Sequence, residues 1–155
     1  MLIFFVSFLA HTCHTSYLTL MYNIDGDKMS YKNYNANPIG KHVGDCTVRA
    51  VSKALDYSWD RAYAGLIAEG YYYYDMPSAN VVWGAYLRHN GFKRYVIPDS
   101  CPDDYTVIDF CNDHPKGTYV LALDRHVICV VDGDYYDTWD SGKEIPIYYW
   151  TQEEN

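Results

Sequence analysis

The chain has 155 residues, of which 49% are hydrophobic, and its formal net charge is −8 at pH 7. This length and composition indicate one globular domain with a real core, and they exclude a disordered chain or two full domains. An acidic chain without a cluster of Lys and Arg repels phosphate backbones, so we expect no nucleic acid as a direct partner.

The first residues form an apolar segment that has several interpretations. Residues 2–10 have the length of a signal-peptide core, are too short to span a bilayer, and have no Lys or Arg before them. They fit an over-extended start or leader, a secretory signal, or a short membrane anchor. We place the boundary at Met29, so that residues 1–28 form the leader and residues 29–155 the domain. We expect no integral membrane association and a cytoplasmic location, or secretion if residues 1–20 act as a signal peptide.

Capping residues and helical spacing predict four helices in the first part of the domain. They follow one another after Asp45, from Ser58 to a stop at Gly70, from Pro77 to Asn90, and from about Asp104 to Asn112. In the first of them, Val48, Val51 and Leu55 recur at the i+3 and i+4 spacing of a helix. The segment before that helix is rich in Asn, Pro and Gly and is typical of a loop.

Beyond the fourth helix the pattern changes to short β-rich segments. Strands are expected at residues 118–123, 126–131, 134–139 and 145–150. Asp132-Gly133 lies between two of them and is typical of a two-residue hairpin turn. Helices followed by antiparallel strands predict an α+β domain, with a helical N-terminal half and an antiparallel β-sheet in the C-terminal half.

The five cysteines form neither a metal knuckle nor a redox motif. They stand at positions 13, 46, 101, 111 and 129, with no Cys-x-x-Cys spacing. The odd count and irregular spacing favour a reducing compartment, with room for a single disulfide. The segment His11-Thr-Cys13-His14 is a poor tetrahedral ligand set and no Gly-rich phosphate loop is present, so we expect no metal and no cofactor.

Cys46 is the first candidate for chemistry. Gly44 and Asp45 precede it directly before the first predicted helix, which puts Cys46 in the first helical turn. A helix N-terminus carries partial positive charge and free N–H groups, and both favour a thiolate over a thiol. The alternative is that Cys46 is simply a small buried residue. Arg49, three residues further on, is expected to be a structural ion-pair partner.

His126 opens a predicted strand, and the register of the hairpin decides which acid it can reach. A two-residue turn at Asp132-Gly133 brings Asp137 onto the face of His126, one diagonal step away. Asp140 then falls on the other face. The plainer interpretations are a structural histidine and a solvated strand-end acid, and His42 is an alternative base.

Cys46, His126 and Asp137 resemble the catalytic set of the papain-like cysteine peptidase superfamily. A Cys at a helix start, a His opening a strand and an Asp or Asn on the next strand follow one another there in the same chain order. Asp137-Thr138-Trp139 is similar to the family's Asn-x-Trp motif, in which the Trp shields the contact between the His and the acid. The segment Gly-Asp-Cys-Thr-Val-Arg-Ala also resembles small uncharacterised bacterial and phage proteins related to these peptidases.

The resemblance covers residues 37–150 and implies a papain-like fold and a thiol hydrolase. Cys46 would be the nucleophile, His126 the base and Asp137 the residue that orients the base. The reaction implied is the cleavage of peptide or isopeptide bonds, so the expected partner is a peptide or protein substrate.

One position departs from the family pattern. Papain-like enzymes place an oxyanion-hole Gln about six residues before the nucleophile, and that position is Gly40 in this chain. Asn37 is the candidate replacement, with Asn35 a weaker one, and the backbone N–H of Cys46 would supply the other donor. This gap leaves a second function open, a catalytically inactive papain-like binding module of phage or bacterial origin.

Other residues receive structural interpretations. Trp59 and Trp83 stand on predicted helices and are expected to pack in the core, as is Cys129, which points away from the face of His126. The 18 tyrosines, including the run at residues 71–74, suggest a third function, a structural protein that assembles through its Tyr-rich surface. The sequence does not indicate the substrate or the oligomeric state.

Overall fold

The computed structural model describes residues 30–152. The expectations for the leader, for the His11–His14 fragment and for the boundary at Met29 lie outside the described residues. No helix between residues 30 and 152 combines the length and the apolar character that crossing a membrane requires. In the same part of the chain, no group of His, Cys, Asp and Glu side chains is arranged to hold a metal ion.

The described residues fold as an α+β domain, as the sequence predicts. The elements in chain order are β1 (Tyr31–Asn33), α1 (Cys46–Ala54), α2 (Trp59–Tyr73), α3 (Asn80–His89), β2 (Phe92–Val96), α4 (Val107–Asp113), β3 (Thr118–Leu123), β4 (His126–Val131), β5 (Asp134–Asp137) and β6 (Tyr148–Gln152). Two of the strands, β1 and β2, were not expected from the sequence.

The strands form one mixed sheet in the order β1-β5-β4-β3-β6-β2. Strand β1 is parallel to β5, and the other pairings are antiparallel. The four strands of the C-terminal half, β3 to β6, pair antiparallel with one another, as expected for that half, whereas the two edge strands come from earlier in the chain and β1 adds a parallel pairing that was not expected. Neither edge strand is easy to recognise in the sequence, because β1 has only three residues and Phe92 is the one buried residue of β2. Short, polar edge strands are a common protection against edge-to-edge association.

Helices cover both faces of the sheet. Helices α1, α2 and α3 pack over one face, where Val120 and Ala122 of β3 join their apolar residues. Helix α4 packs over the other face, where Leu121 and Leu123 of β3 meet Phe110. Alternate residues of a strand point to opposite faces, so a sheet covered on both sides needs continuously apolar central strands. This explains the unbroken apolar run of β4.

Helix α2 runs past the expected stop at Gly70 and ends at Tyr73. Tyr74 takes the left-handed conformation that closes the helix, with φ of 55°. Gly70 serves a different purpose, because a Cβ atom at this position would lie 2.6 Å from the carbonyl oxygen of Asp75. The glycine allows the chain after the helix to fold back against it.

Helix α4 and the last two strands are shorter than the sequence suggests. The helix begins at Val107 rather than near Asp104, because Thr106 and Asp109 form a capping box at its start. Strand β5 ends at Asp137 rather than Trp139, and β6 begins at Tyr148 rather than Ile145. The chain between them turns towards α4, where the backbone oxygens of Gly142 and Glu144 accept hydrogen bonds from its first turn.

Candidate active site

The hairpin of β4 and β5 has the register that the sequence predicts. Val131 pairs with Asp134, and the turn residues Asp132 and Gly133 have φ values of 50° and 81°. Positive φ at both central residues is the requirement of a type I′ turn. The first residue of β4 and the last residue of β5 therefore lie at the same end of the hairpin.

His126 and Asp137 meet at this end. The Nε2 atom of His126 lies 2.7 Å from Oδ2 of Asp137, whose side chain is 1% exposed. The other oxygen of Asp137 accepts the backbone N–H of Thr138 at 2.7 Å. Because both carboxylate oxygens are held, the acid fixes the orientation of the imidazole ring and leaves Nδ1 as the ring nitrogen available to a third group.

Cys46 supplies this third group. It is the first residue of α1, a helix that packs against β4 through Val48 and Val51. The half-buried thiol lies beside the ring of His126 and the backbone N–H of Val127, and both groups act to lower its pKa. The structure thus brings Cys46, His126 and Asp137 together, in the chain order that the sequence analysis singled out.

The cluster favours an ion pair between the thiolate and the imidazolium. Burial raises the pKa of the Cys46 thiol, but the hydrogen bond and charge of His126 outweigh it, with smaller help from the Val127 N–H, so the pKa is lowered overall. Burial acts to lower the pKa of His126, but its hydrogen bonds to Asp137 and Cys46 raise it to about 9. A lowered thiol pKa and a raised imidazole pKa together favour proton transfer from sulfur to nitrogen near neutral pH.

A second set of buried polar groups adjoins the cluster, and sequence reasoning did not foresee it. Asp45 occupies the N-cap position of α1, yet its side chain makes no capping hydrogen bond. One carboxylate oxygen pairs with Nη1 of Arg49, and the other accepts the indole N–H of Trp59 at 2.8 Å. Arg49 is an ion-pair partner as expected, whereas Trp59 also makes a polar contact besides packing. The i,i+4 spacing of Asp45 and Arg49 was the available signal.

Two other residues near the hairpin end have distinct surroundings. The ring of Trp139 lies beside that of His126, with 5.5 Å between their centroids, and its side chain is 45% exposed. Asp140 accepts hydrogen bonds from the hydroxyl of Tyr135 at 2.6 Å and from the backbone N–H of Gly142 at 3.1 Å. Asp140 therefore holds the loop after β5, whereas Asp137 holds the ring of His126.

The loop before α1 carries the remaining candidates. Oδ1 of Asn37 accepts the backbone N–H groups of Ile39 and Lys41, each at 3.2 Å, so the carbonyl end of this side chain shapes the loop. Its role as an oxyanion donor stays a prediction. Gly40 has φ of 66°, a conformation that glycine adopts without strain. His42 is exposed, and the imidazole bonded to Cys46 is that of His126.

No family model, curated protein or solved structure matches the chain. What the molecule presents is an α+β domain with a Cys–His–Asp cluster where the start of α1 meets the open end of the β4–β5 hairpin. Such a cluster contains a nucleophile, a base and a group that orients the base, the parts that covalent acyl chemistry needs.

Proposed function

We propose that the protein is a papain-like cysteine-dependent hydrolase that cleaves peptide or isopeptide bonds. The observation that supports this most is the 2.7 Å contact between His126 and the buried carboxylate of Asp137, with the Cys46 thiol beside the same imidazole ring. A nucleophile bonded to a base that is oriented by an acid defines a triad by geometry and role, whatever the fold.

The proposed reaction has two steps. The Cys46 thiolate attacks the substrate carbonyl carbon, and the imidazolium of His126 gives its proton to the departing amine, which leaves a thioester on the enzyme. A water molecule then attacks the thioester while His126 takes its proton. The thiolate departs with the bonding electrons, and the carboxylic acid product is released. Asp137 keeps the ring in one orientation through both steps.

The negative charge that develops on the carbonyl oxygen needs donors. Cys46 is the first residue of α1, so its backbone N–H is one of those without an intrahelical partner, and we assign it to the oxyanion. Asn37 is the proposed side-chain donor. If it contributes, Asn37→Ala lowers turnover by about 10²- to 10³-fold, the usual effect of losing one such donor.

The second candidate function is an inactive papain-like binding module. The feature that favours it is Gly40, which stands where the resembled family has its oxyanion-hole Gln and whose positive φ suits glycine. A binding module would keep the fold and the side-chain cluster but would not form a thioester.

Selective labelling separates the two functions, because the chain contains an internal control. Cys101 is half-buried like Cys46, whereas Cys111 and Cys129 are buried. Treatment with iodoacetamide at mildly acidic pH, followed by peptide mapping, should label Cys46 before Cys101 in an enzyme. The same protein incubated with a mixture of peptides should produce cleavage products, and Cys46→Ala should not. Equal labelling of both cysteines, without cleavage, would favour the binding module.

A further inference from the structure

We propose that Arg49 is a positioning residue that bridges the carboxylates of Asp45 and Asp137, and so fixes the helix carrying the nucleophile against the strand carrying the acid. The inference deepens the proposed function and rests on it, since it assigns Arg49 a part in the reaction of the same site. Arg49 touches neither the thiol nor the proposed substrate position, so its effect would pass through the two acids.

The geometry of the Arg49 side chain fits a bridge. Its Nη1 pairs with Oδ1 of Asp45 and donates to the carbonyl of Val43 at 3.4 Å, while Nη2 lies 3.6 Å from Oδ1 of Asp137. A planar guanidinium presents separate donors to two carboxylates, which an ammonium group on a flexible chain cannot do with the same fixed geometry. The bridge therefore connects the start of α1 to the end of β5 through one rigid group.

Burial makes the bridge a strong constraint. The side chains of Arg49, Asp45 and Asp137 are 9%, 6% and 1% exposed, respectively. Removing one partner of a buried ion pair leaves an uncompensated charge in a medium that solvates it poorly. With Arg49 absent, two carboxylates would face each other across this interface with no cation between them, and the simplest relief would be for α1 and β5 to move apart.

Asp137 belongs both to the bridge and to the proposed triad. Asp137 uses Oδ2 for His126 and Oδ1 for Arg49 and the Thr138 N–H, so a shift at Oδ1 also turns the carboxylate that orients the ring. The charged groups around the bridge are Asp45 at the N-cap of α1, His126 on β4 and Asp137 on β5, whereas α2 contributes the neutral indole of Trp59, which donates to Asp45. The Arg49 cation also acts to lower the pKa of the Cys46 thiol.

Two substitutions of Arg49 test the bridge, with a control on the same helix. Arg49→Met removes the charge. Arg49→Lys keeps the charge but lacks the planar guanidinium that presents separate donors to the two carboxylates. Lys53→Met removes another cation of α1, one turn further on, that lies over the ring of Tyr136. The measurements are peptide turnover, the pH midpoint of iodoacetamide alkylation at Cys46, and the proton NMR signal of the His126 Nε2–H.

We expect Arg49→Met to lower turnover by about 10²-fold, the effect of a misplacement of about 1 Å at a reacting group. Its alkylation midpoint should move to higher pH, and the His126 signal should shift or broaden. Arg49→Lys should fold and keep most of the alkylation profile but recover turnover only in part. Lys53→Met should leave all three readouts unchanged. A purely structural role for Arg49 would lower the melting temperature without moving the midpoint or the signal.

The proposal is overturned if folded Arg49→Met retains the wild-type midpoint and His126 signal, or if Arg49→Lys restores turnover fully. If Arg49→Met does not fold, Arg49→Lys alone tests the proposal. Full turnover of the Lys variant would then overturn it, because it would show that the paired donors of the guanidinium are not needed. Failure of the proposed function looks different. In that case the wild-type protein itself shows no selective labelling of Cys46 and no cleavage, while the His126 signal still reports whether Arg49 holds Asp137 in place.

Discussion

The interface between α1 and β4 contains a cysteine at its edge and another in its interior. Cys46, at the edge, is half-buried and lies beside the His126 ring and the Val127 N–H, which act to lower its pKa. Cys129, in the interior, is completely buried within the hydrophobic cluster that α1 shares with the sheet. Burial raises the pKa of the Cys129 thiol, whereas the pKa of the Cys46 thiol is lowered although burial opposes it.

The difference shows that position in the interface, at its edge or in its interior, sets the character of each thiol. At the edge, the first turn of α1 meets the end of a hairpin, so the sulfur lies beside the His126 ring and the Val127 N–H, and the nearby Arg49 charge also acts on its pKa. In the interior, apolar neighbours surround the sulfur and leave it a neutral packing group. The same residue type is therefore a thiol with a lowered pKa at the edge of the interface and a neutral packing group in its interior.

Alanine substitutions at the two cysteines should have opposite effects. Cys46→Ala is expected to abolish peptide turnover, by up to about 10⁶-fold, which is the scale of losing a triad nucleophile. It should leave the melting temperature nearly unchanged, because the half-buried thiol at the edge contributes little packing. Cys129→Ala should retain turnover and lose about 1 to 2 kcal/mol of unfolding free energy through the cavity it creates. Peptide cleavage and urea denaturation of both variants check the contrast, and an unfolded Cys46→Ala would show that Cys46 is a core residue.

The two acids that flank Trp139 should also differ. Asp137→Ala removes the group that orients His126 and is expected to lower turnover on the order of 10⁴-fold. Asp140→Ala removes the acceptor of the Tyr135 hydroxyl and of the Gly142 N–H, neither of which contacts His126, and should be nearly silent in the same cleavage assay. If Asp140→Ala lowered turnover more than Asp137→Ala, Asp140 would be the acid that orients His126.

The pH dependence of stability provides a test that needs no substrate. In a Cys46→Ala background, Asp137 still raises the pKa of His126 above its unfolded value of about 6.5. The stabilisation from this pair is then complete below pH about 6.5 and is lost as the pH rises through the pKa of the folded state. Urea denaturation between pH 6 and 10 should show that Cys46→Ala loses on the order of 1 kcal/mol of unfolding free energy relative to Cys46→Ala/His126→Gln. Parallel stability curves for the two variants would contradict the raised pKa.

The smallest effect is expected at Trp139. Its ring lies beside His126 but is 45% exposed, so Trp139→Leu should change the unfolding free energy by no more than about 0.5 kcal/mol. If the ring shields the contact between His126 and Asp137 from water, turnover should fall a few-fold with KM unchanged. A rise in KM alone would make Trp139 a substrate contact instead.

Local signals explain what the sequence could predict. The Asp132-Gly133 turn specified the hairpin register and so brought Asp137 next to His126, and helical spacing after Asp45 specified α1 with Cys46 at its start. These signals are strong because one turn type and one helix start each permit few geometries. The approach of Cys46 to His126 depends on how α1 docks against the sheet, and it was expected only from the resemblance to papain-like peptidases.

Contacts between distant segments explain what the sequence could not predict. Strand β1 pairs with β5 across more than a hundred residues, and its three residues carry no periodic pattern of their own. The bridge from Arg49 to Asp137 depends on how α1 docks against β5, which no spacing within either segment reveals. The early end of β5 has the same origin, because the loop after it is fixed by Tyr135 and α4.

We expect His126 to keep the thiol of Cys46 ionised, and the pH profile of Cys46 alkylation in wild-type protein and in His126→Gln measures this influence. Wild-type Cys46 should react with iodoacetamide below neutral pH, ahead of Cys101, and His126→Gln should move the midpoint of the reaction to alkaline pH. Identical profiles for the two proteins would contradict this expectation, because the histidine would then have no influence on the thiol beside it.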